Sequence, residues 1–282
     1  MKITFTNTRG TVVFYGGGIH DGFMLTSVTG LDLPERERSL ANHAGIDGVT
    51  ERSAQFGQRI ITLYGDFFDA AGKETADYAA SILAHKGTLK IDGSEKRREI
   101  TVDSASFTLG EKKGNYQIFS VQLTCDFPHF TDGEARSQGV YSRINQITAQ
   151  KALPYVFTQR TGNATAVLNT GDVNTEPVIL FEGTQNPGSD AGALIVENKT
   201  TEKSMRITYV LQQGELLTLD VPARTLISSL NGNVLSSLDQ DSFFSDMYLQ
   251  PGVNQITVYG EGGNVNMQGV IQFQPLYVEA IV

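Results

Sequence analysis

The chain has no tryptophan, one cysteine and eight prolines. Each scarcity excludes something. A lone cysteine, Cys125, cannot form an intrachain disulfide. No run of about 18 apolar residues occurs, so no membrane-spanning helix is expected. Without tryptophan, the commonest stacking platform for sugars is missing. Basic residues are also in deficit: 22 Lys and Arg stand against 31 Asp and Glu, for a net charge of −9. That balance argues against a sequence-independent grip on DNA or on an anionic membrane, which needs clustered positive charge.

What is present reads as β structure. The 282 residues favour two domains, with one large β domain as the alternative. The 40% hydrophobic content suits ordinary cores, and 29 glycines suit a turn-rich chain. Met1-Lys2-Ile3-Thr4-Phe5-Thr6-Asn7 alternates like a strand and lacks the apolar core of a signal peptide. Strands are expected at 2–7 and 11–15 around Thr8-Arg9-Gly10, and at 23–28, before and after Gly16-Gly17-Gly18. Residues 31–57, with Gly45-Ile46-Asp47-Gly48, show no sustained period and read as a long polar excursion, a kind of loop that is usually functional or intermolecular. Arg59-Ile60-Ile61-Thr62-Leu63-Tyr64-Gly65 is a strand.

One helix is expected at about 75–85. Thr75 would cap it, Gly87 would end it, and Tyr78, Ala79, Ile82 and Leu83 would form its apolar stripe. Strands at 88–91, 99–109 and 116–125 follow. Phe119, Val121, Leu123 and Cys125 share a face in the last, so Cys125 reads as a buried apolar residue. Pro128 marks a boundary, and residues 131–143 have linker composition. Beyond it, short strands are expected near 165–169, 177–182, 193–197, 205–211, 215–221, 224–228, 248–250, 254–259 and 268–274. The turns between them include Thr170-Gly171-Asp172, Asn186-Pro187-Gly188, Gln213-Gly214, Asn231-Gly232 and Pro251-Gly252. That spacing predicts a sandwich or jelly roll. At Pro251-Gly252 a hairpin turn is expected, with Gly252 at positive φ.

The search for chemistry finds no catalytic, cofactor-binding or metal-binding residues. Gly16-Gly17-Gly18 lacks the Gly-Lys-Ser/Thr of a phosphate loop. His20, His43, His85 and His129 have no metal-ligand spacing, and there is no nucleophile elbow. Asp239, Asp241 and Asp246 cluster, but Phe244 and Gln250 stand where a calcium loop needs Gly and Glu; a solvated loop with Phe243 and Phe244 tucked in is expected. Lys96-Arg97-Arg98 reads as a solvated edge or a partner for an acidic neighbour. Sequons at Asn163 and Asn198 read as chance. Tyr209, Tyr248 and Tyr259 are the residues on which a sugar site would rest.

The order of several motifs resembles the phage distal tail protein family, the siphovirus tail components. In the first half the likeness lies in the opening hairpin ending at Gly16-Gly17-Gly18, in Gly45-Ile46-Asp47-Gly48, in Arg59–Gly65, and in Val121-Gln122-Leu123-Thr124-Cys125-Asp126-Phe127-Pro128-His129-Phe130. In the second half it lies in Leu168-Asn169-Thr170-Gly171-Asp172, Glu176-Pro177-Val178-Ile179, Glu197-Asn198-Lys199-Thr200-Thr201 and Leu249-Gln250-Pro251-Gly252-Val253-Asn254-Gln255-Ile256. Asp126-Phe127-Pro128 departs from the family, where Asp more often precedes Pro directly.

The resemblance implies a mainly β fold. Residues 1–130 would be a split β-barrel with one α-helix that forms rings, 131–145 a linker, and 146–282 a galectin-like, jelly-roll β-sandwich. It is left open whether residues 275–282 return to the first domain. The resemblance implies a structural, non-enzymatic protein of the virion tail tip, assembled in the bacterial host cytoplasm without cofactors. Six copies would form a ring joining the tail tube to the baseplate or tail-tip hub, with DNA passing through. Partners would be the tail-tube and hub proteins, with tape-measure and receptor-binding proteins as further candidates. From the net charge, an acidic lumen is expected. Two alternatives remain at this stage: host adhesion through sugar binding by the second domain, and a tail-tip hydrolase.

Overall fold

The computed structural model describes residues 1–17, 22–45, 47–68, 73–93, 96–141, 164–184, 192–261 and 267–280. Gly18, His20, Ile46, the Asn163 sequon, the Asn186-Pro187-Gly188 turn and the expected start of the second domain after residue 141 lie outside them. The chain forms two compact units, Met1–Gly133 with Leu276–Val282, and Glu134–Pro275. The last seven residues therefore belong with the first unit.

The first unit contains β1 (Lys2–Asn7), β2 (Gly10–Gly16), β3 (Gly22–Thr29), β4 (Arg36–Asn42), β5 (Val49–Phe56), β6 (Arg59–Phe68), α1 (Lys73–Leu83), β7 (Gly87–Asp92), β8 (Arg97–Val102), β9 (Ser104–Lys113) and β10 (Tyr116–Cys125). Alternation decides which side chains enter the core. Ile3 and Phe5 of β1, Ile61 and Leu63 of β6, and Phe119, Val121, Leu123 and Cys125 of β10 have no exposed surface.

Eight strands form one sheet in the order β8-β7-β1-β2-β3-β6-β10-β9. β8 and β9 are its opposite edges, yet only Asp103 separates them in sequence. Two peptide steps span at most about 7 Å, so the edges must meet and the sheet must curl into a split barrel. The Asp103 N–H donates to Thr124 O at 2.9 Å. The helix α1 packs against β1 and β2 in mid-sheet and against β9 at the edge, which only a curled sheet allows.

Several local expectations need correction. The expected strand 99–109 is two strands, because Asp103 carries the chain from one sheet edge to the other. The helix starts at Lys73, so Thr75 lies inside it. Its buried stripe is Ala76, Ala79, Ile82 and Leu83, while Tyr78 is half exposed. Gly87 opens β7 rather than ending the helix. A Cβ there would lie 2.5 Å from the Phe5 ring and 2.7 Å from Thr6 O, so close packing, not a cap, requires glycine. Residues 31–57 are not without structure: β4 and β5 pair with each other and, among the described residues, with no other strand, as an antiparallel arm. The period was hidden because nearly every arm side chain is exposed.

The second unit contains β11 (Arg136–Tyr141), β12 (Thr165–Asn169), β13 (Val178–Gly183), β14 (Ala193–Asn198), β15 (Lys203–Ile207), β16 (Leu216–Asp220), β17 (Thr225–Ser228), β18 (Gly232–Asn233), β19 (Gly252–Glu261) and β20 (Met267–Phe273). A six-stranded sheet, β11-β20-β13-β16-β17-β18, faces a four-stranded one, β12-β19-β14-β15. Val167, Val196, Ile207 and Ile256 on one side and Ile179, Phe181, Leu219 and Ile271 on the other share one core, which is the expected β-sandwich. Residues 136–141, read from composition as linker, are an edge strand from which Val140 enters that core. Residues 248–250 are not a strand but a single bridge, Leu249 to Thr175.

Candidate functional site

Among the described residues, no three His, Cys, Asp or Glu side chains come together to hold a metal ion. Burial pushes the Cys125 thiol up to about 12, which removes its nucleophile at neutral pH. His43 sits on the arm, with Nε2 2.8 Å from Thr50 Oγ1. His129 lies edge-on between Phe56 and Phe127, at 5.5 and 5.3 Å between ring centres. Burial, then the Arg59 charge, lowers its pKa. Asp239 and Asp246 pair with Arg206 at 3.7 Å and Lys203 at 3.3 Å. Phe243 is exposed rather than tucked in, whereas Phe244 packs on the core. Arg97 pairs within its own chain, with Glu99 at 3.0 Å and Asp92 at 3.7 Å. Tyr209 and Tyr248 lie off the strands, and they and Tyr259 are only partly exposed, a poor stacking platform.

The motifs of the second half serve the backbone. Gly252 has φ +92° as expected, but Pro251-Gly252 makes no hairpin: β19 pairs with β12 and β14. The turn is held by Asn254, fully buried, whose Oδ1 accepts from Gln250 N at 2.9 Å while Nδ2 donates to Gln250 O at 2.7 Å. Asn198 Nδ2 donates to Tyr248 O at 2.9 Å, and Asn169 Nδ2 to Leu249 O at 3.1 Å. Three buried asparagines, one from each of three separate motifs, thus fix a single loop. Buried Asn198 is also closed to glycosylation in the folded chain.

Two surfaces of the first unit stand out. The first is the arm, which leaves Leu40 and Val49 46% and 55% exposed. Its root is tied down by Arg59, 2% exposed, which donates to Pro128 O, Gly30 O, Asp32 O and Val278 O at 2.6, 2.7, 2.6 and 2.6 Å. Burial pushes the Arg59 guanidinium down to about 10, so it stays charged at neutral pH. Four carbonyls and the Phe130 ring, 4.4 Å away, compensate that charge.

The second is the outer face of β3, β6, β10 and β9. Register aligns Thr29, Thr62, Gln122 and Ser106 in one row, and Ser27, Tyr64, Ser120 and Thr108 in the next. Ile60, Thr124 and Ser104 form a third. These eleven outward positions are uncharged and the next row, Met24, Asp66 and Ile118, adds one carboxylate, whereas soluble surfaces carry about 25–35% charged residues. The opposite end of the same sheet is different: Lys90–Glu99 at 3.1 Å and Arg97–Glu99 at 3.0 Å pair across β7 and β8.

The described residues thus form two β units, a curled eight-stranded sheet with one helix and a β-sandwich. The chain matches the model of the siphovirus-type tail component, C-terminal domain, over residues 170–277. Among solved structures it is similar to the Dit protein of phage SPP1, described as a paradigm of the hub adsorption apparatus in phages infecting Gram-positive hosts. The TM-score is 0.66 at 15% identity, over 90% of this chain and 93% of that one; at this identity the likeness speaks for the fold. The phage P2 baseplate in its activated conformation with calcium also matches, with TM-score 0.42, 11% identity, and coverage of 96% and 97%. No curated protein sequence matches the chain.

Proposed function

We propose that six copies of this chain form a ring at the distal end of a phage tail, joining the tail tube to the baseplate or tail-tip hub. The arm carries this reading. Among the described residues it pairs only with itself, and it presents exposed Leu40 and Val49, which suits a heterologous contact that closes by rotation. A stable contact needs on the order of 1,000 Å² of buried area, and a projecting hairpin adds reach that a compact barrel lacks.

The sparsely charged face of β3, β6, β10 and β9, with Asp66 its one carboxylate among the rows named, suits the bore through which DNA would pass. Lysine or arginine there would bind the phosphates, and a dense acidic wall would repel them within a Debye length of about 8 Å. On this reading the lining would be mostly hydroxyl, with an acidic contribution from Asp66. The tail-tube and hub proteins would stack on the ring's two ends, with tape-measure and receptor-binding proteins as further partners, and assembly would take place in the host cytoplasm.

Native mass spectrometry tests the ring. Six times the 30.7 kDa chain mass, with ring-shaped particles in electron micrographs, is the expected result. A strict monomer at every concentration, alone and with the tail-tube protein, overturns it.

A further inference from the structure

Residues 276–280 hold the root of the arm. Tyr277 forms a two-bond antiparallel bridge with Phe130, at 2.9 and 2.8 Å. Its ring lies 3.6 Å beneath the Arg98 guanidinium of β8. Val278 O accepts from Arg59 at 2.6 Å, and the Ala280 N–H donates to Leu31 O at 2.9 Å. Tyr277 and Ala280 are 9% and 1% exposed and belong to the core of the first unit.

These contacts converge on one place. Gly30, Leu31 and Asp32 lead into β4, and Arg59 follows the end of β5. The Arg59 fork spans both roots of the arm and, through Val278, the C-terminal segment. Among the described residues, the two arm strands have no strand neighbours apart from one another to fix their direction. An isolated two-stranded hairpin is marginal in water, so its orientation depends on how its root is clamped.

We infer that residues 276–280 are a C-terminal strap that sets the arm in its assembly-competent direction. Because the strap follows Pro275 at the end of the second unit, the arm root closes only after that whole unit has been made. Chains that end early would keep an unclamped arm and stay out of the ring. The consequence for assembly rests on the ring reading above; the clamp itself does not.

The test is hydrogen–deuterium exchange on the full chain, on a chain ending at Pro275, and on Tyr277→Ala, each with its mass in solution. In both variants, amides of residues 31–58 should exchange about tenfold faster or more, while those of β1 and β10 keep their protection. The ring fraction should fall in parallel. If the shortened chain loses protection throughout, the point variant decides. Arm exchange unchanged in Tyr277→Ala, or raised only in step with β1 and β10, overturns the strap. A full-length chain that is monomeric but shows the arm effect retains the strap and sinks the ring.

Discussion

Asn254 has no exposed surface and binds Gln250 through both sides of its amide. A carboxylate has the same shape but no donor. Asn254→Asp would set acceptor against acceptor at the Gln250 and Gly252 carbonyls, the latter now 3.2 Å from Nδ2. Losing two buried donors and burying a charge costs about 2–4 kcal/mol. Chemical denaturation should show that loss in the transition of the second unit, with the first unit's transition unmoved. Asn254→Ala should cost less, about 1–3 kcal/mol, because it strands Gln250 without placing a charge. From the sequence, Pro251-Gly252 was legible as a turn because glycine's positive φ is a local property. The role of Asn254 was not. Its neighbour Asn198 lies 56 residues away, and no local pattern reports a contact at that separation.

At the scale of elements, legibility followed burial on one face. β1, β6, β10 and β19 alternate because one side meets a core, and their positions were readable. The arm has no buried face, so its strands carried no period and looked like loop. Asp103 is the opposite failure. β8 and β9 both alternate, and one residue between them gives no composition signal that the chain changes edge. Gly87 misled because a glycine needed against Phe5 looks in sequence like one needed at a helix end. The arm also carries a prediction. Leu40 and Val49 are exposed and near opposite ends of its tip, with register partners Glu51 and Asn42. Replacing both with glutamate touches no core, so stability should change by no more than about 0.5 kcal/mol. If the arm packs on a neighbouring copy, two buried unpaired carboxylates per contact should abolish the ring in native mass spectra. An intact ring in the double variant would take the arm out of the interface.

At the scale of the whole molecule, the proposed ring raises the question of which face would line its bore. The row Thr62, Gln122 and Ser106 crosses three adjacent strands on the sparsely charged face. Lysine at all three positions leaves the core untouched, so the ring should form. Each copy would then carry three positive charges where none stood, and duplex DNA should bind with an affinity that falls steeply with salt. Binding alone would not place the row inside, since lysines on an outer wall also attract phosphate. Topology separates the two. A closed ring can admit a linear duplex through its bore, but a closed circular duplex cannot be threaded. The lysine ring should therefore retain linear DNA strongly and covalently closed circles weakly, and blocking both ends of the linear DNA with bulky groups should erase the difference. The unsubstituted ring should hold neither, as a conduit that must release its cargo requires. Equal retention of circles and linear DNA by the lysine ring would put these strands on the outside and leave the bore to another face.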